Sequence, residues 1–257
     1  YRCLERPVNI SEDGYYFSVY DNKVHEDAGY DYYTDDWIWD SYRAAHPLRI
    51  LMDQKKQTNI IRSYLRMSEL SSDHWFPNFP EVTGDSRRMN CNHGVAIIAD
   101  AWYKGLRDFN LQEAYVYTKA GIEEKTLAPW SSAQSGWIDQ FYKEKGYIPS
   151  LIPGEKETVP EVNSFEKRQS VAVTLGTSYD QWCLSRIAAA LGLKTEADSY
   201  TAADSWRRCA GTFTRRTMTG SLDRCRPIVC WPPITPENGS KRNCFGRRIL
   251  DRMITNG

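Results

Sequence analysis

Aromatic rings and carboxylates are concentrated between Tyr30 and Leu48 as nowhere else in the chain, which reads there Tyr30-Asp31-Tyr32-Tyr33-Thr34-Asp35-Asp36-Trp37-Ile38-Trp39-Asp40-Ser41-Tyr42-Arg43-Ala44-Ala45-His46-Pro47-Leu48. That mixture suits a sugar. A pyranose presents apolar C–H faces that lie on indole or phenol rings, and hydroxyls that carboxylates and guanidinium groups hold in fixed directions. Thr34 can cap a helix whose first turn carries Asp35 and Asp36, where negative charge meets the positive end of the helix dipole. Trp39, Asp40, Arg43 and His46 then recur at spacings of three and four, which puts them on one helical face. The same spacing also describes a half-buried amphipathic helix with an Asp40–Arg43 ion pair.

Other chemistries find less support. No glycine-rich phosphate loop, serine-centred elbow or His-Glu-x-x-His zinc pattern is present. Cys91 and His93 stand two apart and could open a metal site, but no second ligand pair has compatible spacing. Cys209, Cys225, Cys230 and Cys244 lack the paired spacing of a zinc ribbon. Thirty-three basic and thirty-three acidic residues cancel, so net charge argues for neither a nucleic-acid nor a membrane partner. No apolar run reaches the roughly eighteen residues of a membrane span. With 41% hydrophobic residues in 257, the chain has enough apolar side chains for a buried core.

Paired helix signals must position the aromatic segment. An expected helix over Asp36 to Met52 precedes one built on Ile60, Tyr64, Met67 and Leu70. Val95, Ile98, Trp102 and Leu106 make an apolar stripe, followed by Asn110 and Glu113 as a capping-box-like start to the next helix. Tyr179, Trp182, Cys183, Ile187, Ala190 and Leu191 repeat the pattern up to Gly192, and Thr195 with Asp198 opens a helix toward Trp206. Tyr15 to Tyr20 and Val171 to Thr174 are the strand candidates. Pro77 to Val82 and Ile148 to Pro160 are expected to be inter-helix loops. The fold class is therefore mainly α, in antiparallel helical hairpins.

Several of these segments resemble one known family. Trp39-Asp40-Ser41-Tyr42-Arg43 followed by His46-Pro47-Leu48 is similar to a signature of glycoside hydrolase family 92, a family of calcium-dependent, inverting exo-alpha-mannosidases. The resemblance continues through Met89-Asn90-Cys91-Asn92-His93-Gly94, then Ala99-Asp100-Ala101-Trp102-Tyr103-Lys104-Gly105, then Gly146-Tyr147-Ile148-Pro149. It ends near Val171-Ala172-Val173-Thr174-Leu175-Gly176 and Tyr179-Asp180-Gln181-Trp182-Cys183. Where many members carry a glutamate, this chain has Gly176. The resemblance implies a partial (α/α)6 toroid over residues 1–211, with an incomplete ring, and mannose-containing glycans as partners. It also implies a periplasmic or secreted location for the intact protein, although the chain itself shows no signal segment.

Inverting glycosidases need two carboxyl groups roughly 6.5–9.5 Å apart, one protonating the leaving oxygen and one activating water. The family's acid, base and calcium motifs lie C-terminal to everything matched here, so no catalytic or metal residue is nominated and the chain alone is expected to be inactive. Glu237-Asn238-Gly239 reads as a turn. The substrate-binding candidates are Trp39, packing on the sugar; Asp40, accepting from a hydroxyl; Arg43, orienting that carboxylate or bonding a hydroxyl; and His93, lining the same cleft. Glu166-Lys167-Arg168-Gln169 reads as a solvated charge run. The alternatives are a non-catalytic carbohydrate-binding piece and a different alpha/alpha-toroid glycosidase.

The tail departs from the rest. Residues 1–210 hold 24 basic and 30 acidic residues, and the remaining 47 positions hold 9 and 3. Where family members tend to read Phe-His-Pro-Lys-Asp-x-Asp-Gly-Lys, this chain reads Phe213-Thr214-Arg215-Arg216-Thr217-Met218-Thr219-Gly220-Ser221. Codons for the former, read one base later, can encode Thr214 to Ser221. Residues 212–257 are accordingly expected to be a frame-displaced tail without a core of its own.

Overall fold

The computed structural model describes residues 5–89 and 92–203, together with the backbone of residues 214–216 and 222–224. It divides into two units, Tyr1–Trp206 and Arg207–Gly257. The first begins with short antiparallel pairs. Strand β1, Val8–Asn9, pairs with β4, Tyr33–Thr34, and between them β2, Tyr15–Ser18, pairs with β3, Lys23–Glu26. A third pair, β5 (Pro80–Glu81) with β6 (Gly84–Asp85), lies in the loop expected around Pro77 to Val82.

Pro47 breaks the helix expected over Asp36 to Met52. In one continuous helix its ring would crowd the Arg43 carbonyl and offer it no N–H. The chain makes two helices instead, α1 (Ile38–Ser41) and α2 (Ala45–Met52), with Pro47 in the first turn of α2, where an N–H has no intrahelical partner to lose. Thr34 does not cap α1. It pairs in β4, its hydroxyl donates to the Glu81 carbonyl at 3.2 Å, and Asp35 takes a positive φ of 62° that turns the chain before the helix starts.

Helix α3, Gln54–Leu70, is capped by Asp53, which accepts from Lys56 N–H at 2.9 Å. Ile60, Ile61, Tyr64, Leu65 and Met67 face the main core. Helix α4, Gly94–Tyr103, buries Val95, Ile97, Ile98 and Ala101, and α5, Leu111–Glu123, starts at the expected cap, Asn110, whose side chain accepts from Gln112 N–H and Glu113 N–H. Helix α6, Trp137–Lys145, was not legible in the apolar spacing. Buried Asp139 organises its start by accepting from Gly136 N–H at 2.7 Å, Leu127 N–H at 2.5 Å and the Thr126 hydroxyl at 2.9 Å.

The strand expected at Val171 to Thr174 is instead the opening of α7, Ser170–Ala190. Its β-branched residues are absorbed because Val173 packs into a second, smaller core with Ile138, Tyr142 and Ile148, while the Thr174 hydroxyl donates to the Ser170 carbonyl and accepts from Ile148 N–H. These tertiary contacts outweigh a helix-propensity deficit of roughly half a kcal/mol per residue. A turn at Gly192, φ 78°, leads into α8, Lys194–Ala203. Helix α7 packs on α4, α5 and α8, with α4 against α5, and short connections join α4 to α5 and α7 to α8.

In the second unit β7, Thr214–Arg216, pairs antiparallel with β8, Leu222–Arg224. The rest of the tail, with Cys209, Cys225, Cys230, Cys244 and Glu237-Asn238-Gly239, lies outside the described residues. Apart from these two strands, the segment 212–257 expected to be frame-displaced lies outside the described residues.

Candidate functional site

Asp180, in the middle of α7, is the post around which the site is built. Its Oδ2 accepts Asn92 N–H at 2.8 Å and its Oδ1 lies 2.6 Å from His93 Nδ1, so one carboxylate fixes both the backbone entering α4 and the histidine at its cap. Both side chains of the pair are almost wholly buried, at 3% and 1% exposure. With Nδ1–H donating to Asp180, the neutral ring keeps Nε2 as an acceptor, and the imidazolium would offer it as a donor. Gly176, one turn earlier on α7, also faces the ring: a Cβ there would stand 3.6 Å from His93 Cε1, an ordinary contact.

Aromatic side chains enclose this histidine. Trp39 stacks on it with ring centroids 5.4 Å apart and planes at 24°, Tyr42 approaches to 4.2 Å, and Tyr179 meets it edge-on at 6.1 Å. Trp182 stacks in turn on Tyr179 at 6.2 Å. The predicted Trp39 and His93, 54 positions apart in sequence, are thereby brought into contact. Asp40 follows Trp39 on α1 with an exposed side chain, and Arg43, also exposed, lies with its guanidinium carbon 5.2 Å over the Tyr42 ring rather than against Asp40. The half-exposed surface of Trp39, Tyr179 and Trp182 beside Asp40 and Arg43 therefore offers stacking faces, a carboxylate acceptor and a guanidinium donor together.

His46 does not share that face. The break before α2 turns it inward, to 1% exposure, where Nε2 meets Asp36 Oδ2 at 2.8 Å and Nδ1 meets the Gln57 amide. Tyr64 donates to the same Asp36 oxygen at 2.5 Å. Burial works to raise the Asp36 carboxyl, but the charge of His46 and the hydrogen bonds from His46 and Tyr64 hold it below the ordinary carboxylate range. This network braces α1, α2 and α3 and carries no exposed group. Arg168, read as part of a solvated charge run, is also buried; it grips Glu157 through Nε and Nη2 at 2.6 and 2.7 Å.

Tyr179 is pushed well up, chiefly by burial and then by Cys183 and neighbouring Tyr42 and Asp180, so its hydroxyl stays protonated. Burial and Asp180 raise the Cys183 thiol likewise, which removes it as a nucleophile. A general acid for glycoside cleavage needs a raised carboxyl pKa. Among the described residues the carboxyls with shifted titration, Asp21, Asp36, Asp73 and Glu157, are all held low. Among the described residues no three His, Cys, Asp or Glu side chains gather where they could hold a metal ion.

Sequence reasoning did not nominate Asp180, Tyr42, Tyr179 or Trp182. The signal for Tyr42 was the segment Trp39-Asp40-Ser41-Tyr42-Arg43 and for the others Tyr179-Asp180-Gln181-Trp182, but Asp180 acts on a histidine 87 positions away, a separation no local spacing records.

The model of the glycosyl hydrolase family 92 catalytic domain matches residues 1–223. No curated protein sequence matches the chain significantly. Among solved structures, the family GH92 alpha-mannosidase BT3965 from Bacteroides thetaiotaomicron superposes with a TM-score of 0.67 at 23% identity, over 92% of this chain and 29% of its own. The same protein in complex with mannoimidazole gives 0.67 at 22% identity, over 92% and 28%. The family GH92 inverting mannosidase BT2199 from Bacteroides thetaiotaomicron VPI-5482 gives 0.67 at 25% identity, over 90% and 30%. The chain thus spans less than a third of the length of these structures.

Proposed function

The chain belongs to glycosyl hydrolase family 92, and we propose that it is a piece of an enzyme that removes terminal alpha-linked mannose from glycans with inversion. The observation that carries this reading is the stacking of Trp39 on the Asp180-held His93, with Asp40 and Arg43 exposed beside it. In this reading the Trp39 indole takes an apolar face of the terminal sugar, Asp40 accepts from a hydroxyl, and Arg43 donates to another. His93, with its orientation fixed through Nδ1, presents Nε2 toward the ligand. Two similar proteins support the substrate class: one is an inverting mannosidase and another was captured with mannoimidazole.

The helical hairpins are proposed to form part of an (α/α)6 toroid, with the Trp39 surface on its concave side. Val171 and Leu175, one turn apart on α7, remain 52% and 43% exposed, as expected of a face that further hairpins would cover. The family's acid and base motifs are not matched in this chain, and on this reading it binds a mannoside without cleaving it. Calcium, on this account, belongs to ligands other than those described. Calorimetric titration with methyl α-mannoside tests the reading: the chain binds it, and Trp39→Ala and Asp40→Ala each weaken binding. Unchanged affinity in both variants would remove this surface from the function.

A further inference from the structure

The loop from Gly146 to Gln169 lines an open cavity of about 540 Å³ against the start of α6, with Trp137, Leu151, Glu155, Glu161 and Arg168 among its walls. That volume is within the range of about 300–1,000 Å³ typical of small-molecule sites. We propose that this cavity is a second saccharide-binding site, which holds a sugar unit further along the same glycan; the proposal rests on the mannoside reading of the Trp39 surface.

Three features make the cavity a prepared site. Its floor is an indole that the fold leaves out of its core: Trp137, the first residue of α6, is 53% exposed, while Ile138 beside it is 2% exposed. Its wall is fixed. Arg168 grips Glu157 through a two-point fork, donates to the Pro149 carbonyl at 3.1 Å and places its guanidinium carbon 5.7 Å from the centre of the Trp137 ring. Glu155 accepts from Ile152 N–H at 2.9 Å, and the Ser170 hydroxyl ties Pro149 to the first turn of α7. A loop pinned in this way loses little entropy on binding. Its rim carries acceptors: Glu155 is exposed, and the Glu161 carboxylate lies so near Gly136 that a Cβ there would stand 3.1 Å from Glu161 Oε1, so the glycine makes room for it.

The charges select the ligand class. Two carboxylates at the mouth repel phosphate and other anions, and the polar rim disfavours an apolar peptide side chain. A neutral polyol with an apolar C–H face satisfies both the indole and the rim. Position supplies the link to the first site. The loop is anchored on Ser170 and Thr174, whereas His93 meets α7 at Gly176, about 9 Å along the axis from Ser170 at 1.5 Å per residue. Both sites are thus tied to the first two turns of α7.

Calorimetry on the full chain with methyl α-mannoside and with a linear α-mannotriose separates the two sites, using Trp39→Ala and Trp137→Ala after circular dichroism has confirmed that both are folded. The triose is expected to bind the unmodified chain about ten-fold more tightly than the monosaccharide, or about 1.4 kcal/mol. Trp137→Ala should abolish that difference and leave monosaccharide affinity unchanged. If the triose advantage survives Trp137→Ala, or never exists, the inference is overturned, and weakening of both ligands by Trp39→Ala would still uphold the first site. Loss of triose binding in Trp137→Ala with no effect of Trp39→Ala would sustain the loop site and sink the Trp39 reading.

Discussion

Asp180 satisfies two buried donors at once, Asn92 N–H and the His93 ring, and this makes it the residue on which the site's geometry depends most. Asp180→Ala leaves both without an acceptor, and a loss of about 2–4 kcal/mol is expected at the usual cost of unpaired buried groups. Urea denaturation measures it, and a loss below a few tenths would show that the pair positions nothing. Glu157 gives a pH prediction. The Arg168 hydrogen bonds, against a smaller opposing burial effect, hold its carboxyl at about 2 from an ordinary value of 4.5. A depressed carboxyl contributes stability that is fully present above the unfolded pKa and fades as pH falls through the folded one. The loop around Trp137 should therefore loosen between pH 4.5 and about pH 2, a change visible in Trp137 fluorescence and absent in Glu157→Gln. Of the site residues, Trp39 and His93 were legible from residue type and motif, and the structure puts them in contact. Asp180 was not, because its role exists only once two distant segments meet.

Elements were legible where side-chain spacing repeats over two or more turns. The apolar stripes of α3 and α4 and the Asn110 cap of α5 fall where the sequence places them, whereas the stripe read on α7 is split, with Cys183 and Ile187 buried and Tyr179, Trp182 and Ala190 exposed. Misreadings came where one residue overrides a pattern: Pro47 splits the expected first helix and sends His46 into the core, and Val171 to Thr174 follow the packing of Val173 rather than their β-branched character. Helix α6 escaped notice because its start is organised by Asp139, which binds backbone N–H groups from a preceding loop rather than presenting an apolar stripe. One position tests the packing of α4 directly. A Cβ on Gly94 would come within 2.3 Å of the buried Phe76 ring, so Gly94→Ala is expected to cost about 1–3 kcal/mol despite the better helix propensity of alanine. Thermal denaturation decides the sign: stabilisation would mean that α4 does not approach Phe76 so closely.

At the scale of the whole molecule, family membership follows from residues 1–223, and mainly helical architecture from the structure. The ring to which these hairpins are proposed to belong was legible only through resemblance, since periodicity reports each helix but not how many close a circle. With no metal-ligand cluster among the described residues, calcium is expected to leave the melting temperature unchanged, and the chain should release no mannose from a mannoside with or without it. A calcium-dependent rise in melting temperature, or turnover, would place ligands or acid–base groups in this chain. The most direct test is nuclear magnetic resonance of the isotopically labelled chain titrated with methyl α-mannoside, with methyl α-glucoside as the control. The account predicts saturable shifts of the Trp39 indole and His93 ring signals with the mannoside and little response to the glucoside. Shifts that bypass both residues, or equal responses to the two sugars, would contradict it.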